Sequence, residues 1–267
     1  MEVRRFLRGR IDDSRLDSVV AHLAERYGRD DPEVRFLDAD NWLSTPLVLD
    51  DDLFVKVISR QNSVVHALIT TGRNLGVFSS GTEGFFEHFG TPYQMARHEL
   101  EATRTMRDIG LNAPEPVEAL EVDGLGVLVL EYLPEFRPLD ELDREAEREL
   151  APELFAALRV LHDHGLAHGD LRAENVLILD SDLYFIDATN VGEDGREAAR
   201  SYDVACGLAA LEPLIGAEAT VRAAATVYTP AELLAALDFL DFVNIRPDHD
   251  CDAAALKGEI EKLADGE

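Results

Sequence analysis

His168-Gly169-Asp170-Leu171-Arg172-Ala173-Glu174-Asn175 opens the stretch whose reading decides the fold, and Val176-Leu177-Ile178-Leu179-Asp180-Ser181-Asp182-Leu183-Tyr184-Phe185-Ile186-Asp187 completes it. Asn175 follows Asp170 by five positions, and Asp187 comes twelve further on. Val176–Leu179 and Leu183–Ile186 are apolar, β-rich runs of strand length, and Asp180-Ser181-Asp182 between them has the composition of a hairpin turn. Such a hairpin sets Asn175 and Asp187 at the same end of two paired strands, with Asp170 on the loop leading in. Two acids and an amide then converge on one small volume. Hard oxygen donors of this kind suit Mg²⁺, and a further carboxylate suits the orientation of a hydroxyl nucleophile during phosphoryl transfer.

The pattern H-x-D-x-x-x-x-N, followed by a strand-borne Asp, resembles the catalytic and metal-binding loops of the protein-kinase-like superfamily. The resemblance implies an α+β, two-lobed fold. A small antiparallel β-sheet lobe with one main helix precedes a mainly α-helical lobe. It also implies roles. Asp170 orients the acceptor hydroxyl, Asn175 and Asp187 hold Mg²⁺, and Arg172 neutralises the transferred phosphate. His168 is expected as a buried, hydrogen-bonded scaffold of the loop.

The first half of the chain supplies matching parts. Leu53-Phe54-Val55-Lys56-Val57-Ile58 reads as a strand with one cation among apolar neighbours, in a chain whose other lysines are Lys257 and Lys262 alone. A cation so placed needs an anionic partner. The phrase resembles the superfamily's V-A-I-K strand, which implies ATP phosphates and a helix glutamate as partners. Glu99 stands in the register for that glutamate, with Glu101 as competitor on another helix face. The phosphate loop falls around Asn41 to Thr45 and contains no glycine. The hydroxyls of Ser44 and Thr45, with backbone N–H groups, are its expected phosphate contacts. Val129-Leu130-Glu131-Tyr132-Leu133-Pro134 resembles the interlobe hinge. There the Glu131 carbonyl and Leu133 N–H would bond the adenine edge, with Leu130 as gatekeeper.

Around these parts, Leu16, Val19, Val20 and Leu23 recur at helical spacing in an amphipathic helix over 12–27. Residues 59–93 form an insertion, with a short helix near Val64 to Ile69 and a Gly- and Phe-rich loop carrying Phe85, Phe86 and Phe89. A helix over 93–110 ends at Gly110, and a hairpin of 117–122 with 126–132 turns at Asp123-Gly124. A long helix over 140–166 turns Leu150, Leu154, Leu158 and Leu161 inward. His162, His164 and His168 lack a fourth ligand at zinc spacing. Asp203 has two readings, a helix cap or, by the resemblance, the anchor of the 168–175 loop. Further helices are expected near 217–227, 229–244 and 251–264. The Asp248-His249-Asp250-Cys251 cluster reads as a solvated loop. The division is a helical extension (1–29), an N-lobe (30–132) and a C-lobe (133–267).

Asp203 follows Asp187 by only 16 positions, and no Ala-Pro-Glu follows. The absence of a long activation segment, together with the insertion, points within the superfamily to RIO-type atypical kinases. KEOPS-complex kinases and aminoglycoside phosphotransferases stand beside them as relatives. Arg172 departs from the serine that RIO proteins carry there. The implied function is an ATP- and Mg²⁺-dependent serine/threonine protein kinase or ATPase, the latter by way of a phosphorylated Asp187. The alternatives are a small-molecule phosphotransferase acting on aminoglycoside- or choline-like hydroxyls, and a non-catalytic nucleotide-binding scaffold. ATP is the expected partner. The acceptor, protein or small molecule, and any association with nucleic acid or the ribosome are left open by the sequence.

Composition bounds the setting. The 267 residues, 46% apolar, suffice for a sizeable core. No apolar run reaches the roughly 18 residues of a membrane span, and the basic N-terminus has no apolar stretch behind it. Two cysteines make no disulfide framework, so a reducing cytoplasm is expected. The net charge of −28, with acids in every segment, resembles adaptation to a high-salt cytoplasm, where charges are screened within a few Å. Thermal unfolding should accordingly shift upward from dilute buffer to molar KCl. Equal stability in both would refute the halophilic reading.

Overall fold

The computed structural model describes residues 11–37, 44–60, 90–187, 196–245 and 251–266. The expected helix near 64–69, Phe85, Phe86 and Phe89, Asn41 to Leu43, Ala188 to Asn190 and Asp248 to Asp250 lie outside them. The chain divides into two compact units. One comprises 1–72, 88–104 and 114–134, the other 73–87, 105–113 and 135–267.

The first unit is built on a five-stranded antiparallel sheet of β1 (Val34–Phe36), β2 (Thr45–Leu49), β3 (Leu53–Ile58), β4 (Pro116–Val122) and β5 (Leu125–Glu131), in the order β1-β2-β3-β5-β4. Alternation of side chains along a strand gives each face its own cover. Leu53, Val55 and Val57 of β3, with Leu125, Val127 and Val129 of β5, pack with Leu16, Val19 and Leu23 of helix α1 (Asp13–Tyr27). The intervening Ile58, Leu128 and Leu130 pack with Met95, Ala96 and Leu100 of helix α2 (Pro92–Asp108). The end of α1 is pinned to the sheet where Glu118 of β4 accepts from Arg26 Nε at 2.5 Å and from Tyr27 Oη at 2.6 Å.

The turns follow from their residues. Asp123-Gly124 and Asp180-Ser181 each join two strands as a two-residue loop with φ positive at both positions, the geometry that matches strand twist. Asp50 and Asp51 adopt the same left-handed backbone between β2 and β3. Aspartate tolerates this region because its short side chain bonds locally.

The second unit holds helix α3 (Arg144–Asp163), a small sheet of β6 (Arg137–Pro138), β7 (Val176–Leu179) and β8 (Asp182–Phe185), and helices α4 (Arg196–Ile215), α5 (Ala217–Ala224), α6 (Pro230–Ile245) and α7 (Ala253–Asp265). α3 starts later than its periodicity suggests, because Asp143 caps it by accepting from Glu145 N and Ala146 N. Leu154, Leu158 and Leu161 are buried as expected, whereas Leu150 is only half-buried. β1 and β6 carry no sequence signal, being three and two residues long. Among the described residues no helix is long and apolar enough to cross a membrane.

Gly126 of β5 is where α2 meets the sheet. A Cβ there would stand 2.1 Å from Pro92 O and 2.8 Å from Tyr93 N, both backbone atoms that cannot yield locally. Gly126→Ala should cost about 2 kcal/mol through displacement of the α2 start, read as a lowered midpoint in urea denaturation.

Candidate active site

In the first unit the site begins with strand parity. Val55 and Val57 face α1, so Lys56 between them faces α2. α2 is held in register by its N-terminus. Gln94 N donates to Thr91 Oγ1 at 3.1 Å, while Gln94 Oε1 accepts from Thr91 N at 3.2 Å and Gly90 N at 2.9 Å. This is a capping box with proline at the first helical position, and Thr91-Pro92-Tyr93-Gln94 is its sequence signature. The helix ends in a Schellman motif at Gly110, where Leu111 N donates to Met106 O and Gly110 N to Arg107 O. In that register Glu99 meets Lys56. Nζ lies 2.9 Å from both carboxylate oxygens, and Lys56 is 6% exposed. Glu101, two positions on, pairs instead with exposed Arg104.

Ser44 is buried just ahead of β2, and its Oγ has no hydrogen-bond partner among the described residues. Thr45 opens β2 opposite Val57. Leu130 packs in the α2-side cluster. Glu131 bonds Glu115 through both its N–H (2.9 Å) and its carboxylate (3.0 Å), and Leu133 is buried.

In the second unit the 168–175 loop is strung on buried bonds. Asp203, wholly buried on α4, accepts from His168 N at 2.5 Å and Gly169 N at 2.8 Å. It lies too far inside α4 to cap it, so the helix-cap reading is set aside. Leu171 is buried beside Gly207 of α4, where a Cβ would come within 3.4 Å of its Cδ2. Asn175 Nδ2 donates to Asp170 O at 2.9 Å. That bond commits the amide nitrogen and leaves Oδ1 as the atom able to ligate. His168 is wholly buried, and desolvation pushes its pKa below the ordinary histidine value. Its Nδ1 accepts from the Asp170 N–H at 3.4 Å.

β7 and β8 pair from Val176↔Phe185 to Leu179↔Asp182. Ile186 N donates to Asn175 O at 3.1 Å, so Asn175 and Asp187 share one end of the hairpin. Asp187 itself adopts left-handed backbone, φ 59°, uncommon for a non-glycine residue and frequent at functional sites. Arg172 Nε lies 3.7 Å from Asp170 Oδ2, and its guanidinium also pairs with Glu174.

Two contributors escaped the sequence reading. His162 lies 3.3 Å from Asp203 through Nε2 and 3.0 Å from the Tyr228 hydroxyl through Nδ1. These partners are 41 and 66 residues away, and no local pattern announces them.

A family model described as "RIO domain" matches residues 90–203. A curated relative, the KEOPS complex subunit Bud32 of Pyrococcus abyssi (strain GE5 / Orsay), is 30% identical over 93 residues, 33% of this chain and 41% of that protein. The chain thus matches about two fifths of that relative's length. Among solved structures, aminoglycoside-3'-phosphotransferase of type VIII superposes with a TM-score of 0.53 at 18% identity, over 85% of this chain and 98% of that one. The Rio2 kinase–ADP/Mg²⁺–phosphoaspartate complex from Chaetomium thermophilum superposes with a TM-score of 0.50 at 16% identity, over 94% and 76%.

Replacing Glu99 by Ala removes a carboxylate that bonds a buried ammonium through both its oxygens and should cost about 3 kcal/mol. Glu101→Ala, on the exposed face, should change stability by less than about 0.5 kcal/mol. Chemical denaturation of the two variants separates them.

Proposed function

We propose, for a chain of protein-kinase-like fold whose residues 90–203 match the RIO domain, an ATP- and Mg²⁺-dependent phosphotransferase of the RIO-like atypical serine/threonine kinase or ATPase type. The observation that carries the reading is the loop geometry. Asp203 holds the backbone ahead of Asp170, and Asn175 holds Asp170 from behind, so the acid is preorganised.

Asn175 Oδ1 and the Asp187 carboxylate are hard oxygen donors of the kind Mg²⁺ takes, and they would hold it. A bound Mg²⁺ would neutralise charge on the phosphates. The chain's own groups do the rest. Lys56, kept in place by Glu99, contacts the α- and β-phosphates. The Ser44 hydroxyl, unpartnered among the described residues, supports a phosphate contact there in place of a glycine loop, together with Thr45. Leu130, Glu131 and Leu133 form the adenine edge, two of them through backbone atoms. Asp170 accepts a hydrogen bond from the acceptor hydroxyl and aims its oxygen at the γ-phosphorus. Arg172 neutralises the phosphoryl group in transfer. In the ATPase branch the Asp187 carboxylate takes the γ-phosphoryl group from ATP, releasing ADP, and water then releases phosphate. The likeness to a KEOPS subunit supports a kinase unit that works with a protein partner.

MgATP should raise the melting temperature, and Asp187→Asn should abolish Mg²⁺-dependent turnover. Asp170→Ala should lower kcat about 1000-fold. Wild-type rates in both variants at saturating ATP and Mg²⁺ would refute the scheme. Nucleotide binding without turnover in the wild type would favour the scaffold. A hydroxylamine-labile label from γ-³²P-ATP would mark the ATPase branch.

A further inference from the structure

The carboxylate that holds the 168–175 loop is itself held. His162, buried near the end of α3, bridges Asp203 and Tyr228, which lies between α5 and α6. Tyr228 is 5% exposed, and its burial pushes the phenol pKa above its ordinary value, so the hydroxyl keeps its proton. Arg159 stacks over the Tyr228 ring at 5.8 Å and bonds Glu232 of α6 at 2.8 Å and Asp163 of α3 at 2.9 Å.

The roles along this line follow from donor arithmetic. An ionised carboxylate only accepts, and Asp203 already takes two backbone N–H groups. The His162 Nε2 that faces it therefore carries a proton. In a neutral imidazole Nδ1 is then the acceptor, and the group facing it is the Tyr228 O–H, a donor. The hydroxyl and the carboxylate select one tautomer of the ring between them. Without the hydroxyl, Nδ1 is a buried acceptor with no donor, and the tautomer with the proton on Nδ1 turns a bare Nε2 toward Asp203. That tautomer loses a bond and sets two acceptors against each other.

We propose that Tyr228 is a positioning residue for the 168–175 loop: its hydroxyl satisfies His162 Nδ1 and, with the Asp203 carboxylate, selects one tautomer of the ring, His162 fixes the Asp203 carboxylate, and Asp203 fixes His168 and Gly169 ahead of Asp170. The ring of Tyr228 also packs edge-on to Phe155 at 6.3 Å, which is core filling. Tyr228→Phe keeps that packing and removes only the hydroxyl. The consequence for kcat rests on the phosphotransferase reading; the consequence for the loop does not.

Amide hydrogen exchange of the full chain, without nucleotide, tests the proposal. The amides of His168 and Gly169 should exchange about fivefold faster in Tyr228→Phe, the equivalent of one net hydrogen bond, while those of α7 keep their wild-type rates. kcat for ATP turnover should fall by a similar factor with KM for ATP unchanged. His162→Gln, whose amide can donate to Asp203 and accept from Tyr228, should retain loop protection, and His162→Leu should lose it. Unchanged loop exchange in Tyr228→Phe overturns the proposal, as does an equal acceleration in α7, which marks a general core role. Identical exchange in the two His162 variants also overturns it, and that comparison decides the matter if Tyr228→Phe does not fold. A wild type that turns over no ATP refutes the phosphotransferase reading while leaving the exchange comparison to judge Tyr228.

Discussion

One buried carboxylate organises the second unit. Asp203 has no solvent exposure, and a charge so placed is tolerated only where donors surround it. Two successive backbone N–H groups and an imidazole provide them. The same bonds that satisfy the charge shape the loop from His168 to Asp170, so the cost of burying Asp203 and the preorganisation of the loop are one arrangement. Everything downstream inherits it. Leu171 is clamped against α4 beside Gly207, Asn175 ties back to Asp170, and the β7–β8 hairpin brings Asp187 to the same end.

The first unit turns on a second buried charge with a simpler solution. Lys56 sits in a strand whose neighbours all seek apolar cover, and it faces the layer that carries Glu99. The Lys56–Glu99 pair is weak evidence for stability, since desolvating both ions offsets their attraction. Its value is positional. It fixes an ammonium group at a known place, in a chain that has otherwise given up nearly all its lysine. The capping box at Thr91 and the glycine at 126 serve that placement, one by setting the helix register and the other by letting its backbone approach the sheet.

The acid excess leaves its mark on local structure as well as on charge. Asp50, Asp51, Asp123 and Asp180 all occupy left-handed turn positions that asparagine or glycine often fills. Arg29 pairs with Asp50 and Asp52 and Arg35 with Asp51, so part of the carboxylate load is matched where the turn concentrates it. Such exposed pairs contribute little individually and less in salt.

Much of the framework could be read from residues alone because it is local. A β-rich apolar run marked β3, turn residues marked the hairpins, and the spacing from Asp170 to Asn175 and Asp187 marked one end of a hairpin. These signals act over a few residues, where the backbone allows few alternatives. Strands of two or three residues are too short to leave a pattern, and β1 and β6 went unmarked. The choice between Glu99 and Glu101 needed the packed helix, because two positions along a helix turn a side chain by about 200°. The role of Asp203 needed the loop it binds, since the same acid near a helix start reads equally as a cap. His162 and Tyr228 needed the whole second unit, because their partners are dozens of residues distant. The sequence by itself determined which groups were available and which strands and turns would present them. Only the tertiary structure decided which of those groups meet, because burial and hydrogen bonding act between residues that the chain brings together from afar.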